Sequence, residues 1–307
     1  MEEKLKLTAE MFEPLPESEK NNEQIAVEAK TYLADAWARF KKNKLALAGL
    51  IFLTIMILYA ILAPMLSQYT YHGQDLNAQN LMPSAVHWFG TDKFGRDIFV
   101  RIACGARISL TIGFVAAAIN LVIGVAYGSI AGYVGGKVDM IMMRIVDIIY
   151  SIPDLLYIIL ISLIFGTSMF SILLGISIGA WLGMARQVRT QVMTLKEQEF
   201  SLAAFVLGAS KSRILFKHLL INCMGPIIVS VTLMVPSAIF TEAFLGFIGI
   251  GISAPQASWG TLANDARQFI ESYPIQVLWP VAAICLTMLS LNFIGDGLGD
   301  ALDPKKK

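Results

Sequence analysis

Charged residues are scarce in this chain, and so are cysteine and histidine. Of 307 residues only 15% are charged, whereas 56% are hydrophobic, and the mean hydropathy is +0.62. Such a composition excludes a soluble domain and indicates a polytopic membrane protein. The three cysteines and three histidines are scattered, without the spacing of a metal or redox site. The net charge of +1 identifies no partner, and we expect no nucleic acid.

Familiar catalytic patterns are missing as well. The G-x4-G-K-[ST] loop that holds nucleotide phosphates does not occur, because Val138 follows Gly136 and Lys137, and Ala131 stands where the first glycine is needed. The stretch 297–300 reads G-x-G-D, as in intramembrane aspartyl proteases, but no Tyr-Asp partner lies in another apolar segment. We therefore expect no enzyme, no metal site, and no cofactor bound by this chain.

Six apolar segments are long enough to cross the ~30 Å hydrocarbon core of a bilayer. We predict an all-α membrane protein with six transmembrane helices, at 45–66, 108–133, 141–165, 169–184, 219–247 and 275–294. Ahead of them, residues 1–28 carry eight glutamates against three lysines, and we expect this acidic tail to be disordered. Residues 29–44 predict an interfacial amphipathic helix, because Leu33, Trp37 and Phe40 share a stripe and basic residues follow.

The basic residues predict the orientation. With six spans both termini lie on one side. The inner ends of the spans and the C-terminal tail then hold 15 lysines and arginines, against five in the outer loops. This bias places the termini in the cytoplasm of a cell-membrane protein. The outer loop is then 67–107. The core at 108–298 holds five spans and a cytoplasmic loop at 186–218, and 299–307 is a cytoplasmic tail.

A few polar and glycine residues within the spans stand out. Arg144 and Asp147 are three apart on one helix, and we expect them to pair, with a substrate path as the alternative. Asp154 and Glu242 remain open between structural pairing and a substrate path, since charges within a membrane must face protein or water. Glycines that recur every fourth residue predict close helix crossings inside the bundle. They lie at Gly124, Gly128 and Gly132 and again at Gly175, Gly179 and Gly183.

A polar, helix-forming island at 199–222 separates the fourth and fifth spans. A capping box at 194–197 is expected to start a first helix, Gly208 to end it, and Ser210 to cap a second. The first helix mixes small residues with bulky apolar ones, a composition that suits a docking surface. An ordinary loop helix that lies on the bundle is the alternative.

This island resembles the "EAA loop" of ABC-transporter permease subunits, whose pattern is E-A-A, three residues, G, nine residues, then I-x-L-P. Ala203, Ala204 and Gly208 match, as does Leu220. The family's Glu, Ile and Pro are replaced by Leu202, His218 and Ile221. The acidic contact therefore does not carry over to Leu202, and Glu199, one turn earlier, is the candidate substitute.

Four further runs resemble the C-type permease subunit of bacterial oligopeptide/dipeptide ABC importers. They are 87–110, 134–153, TEAFLGFIGIG at 241–251 and GDGLGDALDP at 295–304, where Gly299 replaces the family's arginine. The resemblance implies a type I importer fold and a coupling helix that docks on an ATPase. The residues it assigns to that docking are Glu199, Phe200, Leu202, Ala203, Ala204, Leu207, Gly208 and Ala209.

The resemblance also implies partners. These are a homologous permease, two cytoplasmic ATPase subunits that use ATP and Mg²⁺, an extracellular peptide-binding lipoprotein, a peptide substrate and membrane lipid. Trp88, Trp259 and Tyr273 in the outer loops are candidate contacts for the lipoprotein, although interface anchoring explains them equally well. Nickel or another small solute is an alternative cargo. An ATP-independent secondary carrier and a channel or assembly subunit are alternative classes.

Overall fold

The computed structural model describes residues 31–303, so the acidic tail at 1–28 and the last four residues lie outside it. The described chain is helical. Its helices are α1 (Tyr32–Lys42), α2 (Lys44–Leu66), α3 (Ile98–Val134), α4 (Gly136–Tyr150), α5 (Asp154–Phe165), α6 (Met169–Lys196), α7 (Glu199–Val206), α8 (Lys211–Arg213), α9 (Leu220–Phe247), α10 (Trp259–Arg267) and α11 (Pro274–Leu302).

Five stretches are long and apolar enough to cross a membrane: α2, α3, α6, the run Lys211–Phe247 and α11. The sixth predicted span is a pair of helices, α4 and α5, bent by 73° at the break between them. Pro153 explains this break, because proline cannot continue the hydrogen-bond ladder and disfavours the helical conformation of the residue before it. The all-α fold with six spans is confirmed when this bent pair is taken as one span.

Helix α3 begins ten residues earlier than the predicted second span, so residues 98–107 are helical rather than loop. The side chain of Asp97 starts the helix by accepting a hydrogen bond from the Val100 amide at 2.9 Å. Arg101 and Arg107 conceal this start in the sequence, because charged residues lower the hydropathy of the segment. Both arginines have partners in the fold, which is why the bundle tolerates them.

Arg107 satisfies backbone groups that a proline leaves open. Pro64 lies inside α2 and has no amide proton, so the carbonyl of Ala60 has no helical partner. Arg107 Nε donates to that carbonyl at 2.6 Å, and Nη2 donates to the carbonyl of Ile61 at 3.0 Å. The proline in α2 leaves a carbonyl that needs a donor, and the arginine in α3 needs an acceptor, so each residue satisfies the other.

Helices α3 and α6 pack backbone to backbone along the first glycine series. A Cβ on Gly124 would lie 2.6 Å from the Met184 side chain, and one on Gly132 would lie 2.7 Å from the carbonyl oxygen of Arg189. Both distances are shorter than atoms can approach without displacement, so only glycine fits. The predicted close crossing inside the bundle is confirmed for this series.

Helix α1 lies against the bundle on one side only. Phe40 is buried and contacts the α11 backbone at Gly297, whereas Leu33 and Trp37 are exposed. The predicted shared stripe is therefore split, because Phe40 packs on protein and the other two remain available to lipid. Asn43 separates α1 from α2. Its backbone amide donates to the carbonyl of Phe40 at the end of α1, and its side chain accepts hydrogen bonds from the Leu45 and Ala46 amides at 3.1 Å at the start of α2.

The end of the bundle opposite α7, here termed the loop face, is ordered by ion pairs. Arg96 Nε lies 2.6 Å from Asp92, and the buried Arg101 reaches Asp92 at 3.2 Å and Asp265 of α10 at 3.4 Å. Gln276 of α11 donates to the carbonyl of Thr91 at 3.0 Å. These bonds attach the segment between α2 and α3 to α10 and α11.

Gly128→Ala tests the glycine contact. A Cβ at position 128 would collide with the carbonyl oxygen of Ala185, so we expect the free energy of unfolding to fall by about 1–3 kcal/mol. The thermal midpoint of the purified protein in detergent measures this loss. Gly183→Ala on α6 is the matched control, because no atom lies within 4 Å of its added Cβ. Equal losses in both variants would contradict the packing argument.

Candidate functional site

Helix α7 lies between the spans α6 and α9 and ends in a hydrogen-bonded turn at Gly208. The amide of Ala209 donates to the carbonyl of Ala204, and the amide of Gly208 donates to the carbonyl of Phe205, both at 3.0 Å. Gly208 has φ +81°, a left-handed conformation that costs glycine little. This pair of bonds is the Schellman motif, which satisfies the last carbonyls of a helix. The predicted helix end at Gly208 is therefore present.

The two flanking predictions have different outcomes. Ser210 caps the next helix as expected, because its hydroxyl accepts from the Arg213 amide at 3.3 Å. The predicted capping box at 194–197 is wrong. Thr194 lies inside α6, where its hydroxyl donates to the carbonyl of Thr190 at 3.0 Å. The fourth span simply continues as a helix to Lys196, beyond the apolar run that defines it in sequence.

A π-helical segment connects the α7 turn to the fifth span. Residues Ile214–Leu219 have this wider geometry between α8 and α9. Ile214 and Leu219 are buried, together with Val192 of α6 and Cys223 of α9. Wider helical turns of this kind commonly occur at functional sites. The segment therefore attaches α7 to α9 through packed apolar side chains.

The side of α7 that faces the bundle consists of small residues. Ser201 is buried, and the half-buried Ala204 and Ala209 pack against the apolar cluster around Val192 and Ile214. Small side chains allow the helix to lie close to the ends of α6 and α9. Ala204 and Ala209, predicted as docking residues, therefore hold α7 to its own bundle.

The outward side of α7 is apolar and large. Leu207 is 87% exposed, Val206 81% and Phe205 66%, and Phe200 and Leu202 are also exposed. We call these five residues the α7 patch. Ala203 and Glu199 are exposed beside it. Contiguous exposed apolar residues mark an interaction surface, because water does not favour such a patch on a free protein.

Sequence reasoning missed one prominent member of the patch. Val206 was not among the predicted docking residues, although it is more exposed than Phe200 or Leu202. The sequence could have predicted its exposure, because Leu202 and Val206 are four residues apart and therefore lie on the same face of the helix. Phe205, which is 66% exposed, is likewise absent from the predicted docking residues.

Charged side chains tie α6 to α4 near the α7 end of the bundle. Arg189 of α6 makes a two-pronged contact with Asp139 of α4, in which Nε and Nη2 donate to the two carboxylate oxygens. Lys196, the last residue of α6, donates to the carbonyl of Tyr133 at 2.7 Å. Bidentate arginine–carboxylate pairs restrict geometry more than single contacts do. Helix α6 is thus fixed to the α3–α4 connection.

The predicted pair of Arg144 with Asp147 is wrong. Asp147 instead accepts from Arg186 of α6 at 2.8 Å, and the Arg186 guanidinium stacks over Tyr150 at 4.4 Å. Arg144 is exposed and makes no ion pair with the described residues. A neighbouring helix supplied the partner, which spacing along one helix does not reveal.

The two acidic residues left open by the sequence lie in different surroundings. Glu242 is fully buried, and one of its oxygens accepts from the Ser109 hydroxyl of α3 at 2.7 Å. It therefore joins α9 to α3 and lines no open space in this structure. Asp154 is exposed at the first residue of α5, directly after the break.

The candidate contacts on the loop face also differ. Trp88 is exposed, but Trp259 is fully buried and donates its indole proton to the carbonyl of Ile102 at 3.1 Å. Trp259 is therefore excluded as a partner contact in this structure, because α10 inserts its first turn into the bundle. Tyr273 is half-buried at the start of α11.

Gly208→Ala tests the mounting of α7. At φ +81° an alanine costs about 1–2 kcal/mol, so the last turn of α7 is expected to open more often. Hydrogen exchange at the Ala209 amide measures this opening, because that amide closes the motif. Gly208→Asn is the matched control and should exchange more slowly than the alanine variant, since asparagine tolerates the left-handed region. Identical exchange rates in wild type and both variants would contradict the assignment.

Comparison with known proteins agrees with this geometry. Residues 124–307 match the family model described as binding-protein-dependent transport system inner membrane component, and residues 31–83 match the N-terminal TM domain of oligopeptide transport permease C. The oligopeptide transport system permease protein OppC of Bacillus subtilis is 50% identical over 295 residues, covering 96% of this chain and 97% of that protein.

Two further comparisons extend the likeness. The dipeptide transport system permease protein DppC of Bacillus subtilis is 50% identical over 290 residues, covering 94% of this chain and 91% of its own length. A solved inward-facing structure of the MetNI methionine ABC transporter contains a chain similar in fold. Its TM-score is 0.54 at 20% identity, and the match covers 66% of this chain and 96% of that chain. The chain belongs to the binding-protein-dependent transport system inner membrane component family and is a multi-pass membrane permease.

Proposed function

We propose that this chain is the transmembrane permease subunit of an ATP-driven importer of oligopeptides or dipeptides. The α7 patch carries the proposal, because a contiguous exposed apolar surface offers a separate ATPase a place to bind on a permease whose sequence contains no nucleotide loop. The names of the relatives support peptide as the cargo. No group of metal-ligating side chains among residues 31–303 favours nickel.

The proposed assembly has five protein components besides the peptide. A second, homologous permease encloses the path with this chain, two ATPase subunits bind on the α7 side, and an external lipoprotein delivers the peptide. The bias of basic residues toward the termini supports a cytoplasmic position for α7. On that orientation, the α7 patch meets the ATPase subunits, which use ATP and Mg²⁺.

A displacement of α7 would be transmitted to the spans, because the contacts between α7 and the spans leave little room for relative movement. Its small inner residues lie on the ends of α6 and α9, and the Arg189–Asp139 pair joins α6 to α4. Closure of the ATPase dimer would therefore move these helices together. An ATPase favours one conformation of the permease only if it binds the α7 patch more tightly in that conformation.

Phe205→Glu tests the docking surface. A carboxylate in the centre of the α7 patch would have to lose its hydration water when the ATPase subunits bind. We therefore expect the amount of ATPase retained by the permease to fall at least tenfold. Binding of purified ATPase subunits to inside-out vesicles measures retention, and right-side-out vesicles should retain none. Thr194→Glu is the matched control, because Thr194 is exposed on α6 outside the patch. Full retention by Phe205→Glu, or retention by right-side-out vesicles, would refute docking at this face.

Peptide uptake by the reconstituted importer tests the function itself. Proteoliposomes that contain this chain, its partner permease and the ATPase subunits should accumulate labelled tripeptide when binding protein and ATP are supplied. Omission of ATP should abolish uptake, because the ATPase subunits then have no nucleotide to hydrolyse. Uptake driven by an ion gradient without ATPase subunits would instead establish a secondary carrier.

A further inference from the structure

Asp154 occupies an unusual place in the bundle. It is the first residue of α5, follows Pro153, and stands at the 73° break that divides the span formed by α4 and α5. Helices interrupted within a membrane expose polar groups away from its surfaces, where they can line a cavity. The break therefore brings a carboxylate into an otherwise apolar part of the fold.

The neighbouring helix α6 gives the depth of this carboxylate. Asp154 lies directly over Gly179, where an added Cβ would collide with its Oδ1 atom. Gly179 is ten residues from Met169 and six residues from Ala185, the two ends of the uncharged stretch of α6. At 1.5 Å per residue these distances are about 15 Å and 9 Å, so Asp154 lies near the middle of the apolar part of this span.

No basic side chain among residues 31–303 compensates this charge. The α5 sequence contains no lysine or arginine, and α6 carries no charge from Met169 to Ala185. The next basic residue on α6 is Arg186, which already binds Asp147 at 2.8 Å. The side chain of Asp154 has neither an ion pair nor a hydrogen bond within the described residues.

The surface beside Asp154 is open rather than packed. Gly183 lies one turn from Gly179 on the same face of α6, and no atom lies within 4 Å of a Cβ built there. A carboxylate exposed at mid-depth cannot face lipid without a large desolvation penalty, so it must face water, a cation or another protein subunit. The two glycines and the exposed carboxylate together indicate one wall of an aqueous passage.

We propose that Asp154 lines the translocation path and binds ammonium groups of the peptide as they pass the middle of the membrane. The inference rests on the proposed function, because it takes peptide as the cargo. A carboxylate accepts hydrogen bonds from an ammonium group, and in a wet passage the contact is weak enough to release it. Asp154 then gives the path a preference for cationic over anionic peptides.

Uptake of two matched peptides tests this preference. Ala-Lys-Ala and Ala-Glu-Ala are offered to the reconstituted importer with wild-type chain, Asp154→Asn or Asp154→Glu, and each rate is divided by the wild-type rate for the same peptide. This ratio cancels any preference of the binding protein, which is unchanged. For Asp154→Asn we expect the relative uptake rate of Ala-Lys-Ala to be about fivefold lower than the relative uptake rate of Ala-Glu-Ala. A factor of this size corresponds to the loss of one contact between opposite charges in water. Asp154→Glu should keep the two ratios equal.

Other results overturn the inference in distinct ways. Equal ratios for both peptides in Asp154→Asn would show that the carboxylate does not select charge. Loss of the partner permease on purification of Asp154→Asn would show that Asp154 pairs with that subunit instead. Asp296→Asn is the matched control, since Asp296 is exposed on α11 away from the break and should change neither ratio. Absence of wild-type peptide uptake would refute the proposed function rather than the role of Asp154.

A second readout does not depend on transport. Asp154→Cys, in a chain whose three native cysteines are replaced, should react with a membrane-impermeant cationic thiol reagent in the assembled importer. The cationic reagent reaches the cysteine only through water, so reaction supports an aqueous wall. Failure to react, while a cysteine at Thr194, which is exposed outside the α7 patch, reacts, would overturn the inference.

Discussion

The contact between α3 and α6 is the constraint on which the rest of the structure depends. Glycines at 124, 128 and 132 bring the α3 backbone against the carbonyl oxygens of Ala185 and Arg189 and the first side-chain carbons of Met184. Such a close-packed interface leaves little space for one helix to shift against the other. Helix α6 also carries α7 at its end and is fixed to α4 by Arg189 and Asp139. The mobility of the whole α7 region is limited by this single crossing.

Helix α7 reverses the usual arrangement of a surface helix. Its small residues lie against the protein and its large apolar residues face outward, which leaves little of its hydrophobic surface buried by its own chain. Stability must then come from the turn at Gly208 and from the π-helical connection to α9. The arrangement leaves the large apolar side chains of α7 open to the ATPase partner proposed above.

Much of the architecture could be predicted from the sequence, because a bilayer imposes a length on apolar segments and glycine alone tolerates certain contacts and turns. The spans, the glycine crossing and the end of α7 at Gly208 followed from these rules. Interactions between residues distant in sequence did not. Arg101 and Arg107 hid the start of α3 because their partners lie on α10 and α2. The Arg186–Asp147 pair escaped prediction for the same reason.

The bond between Arg107 and the α2 backbone has a consequence for biogenesis. Until α3 arrives, α2 carries a carbonyl at Ala60 that its own helix leaves unsatisfied, about six residues inside its end. Released alone into lipid, the first span would expose this dipole to hydrocarbon, which offers it no donor. The nascent chain thus gains from leaving the insertion machinery as a hairpin, and the second span acts as an intramolecular chaperone for the first.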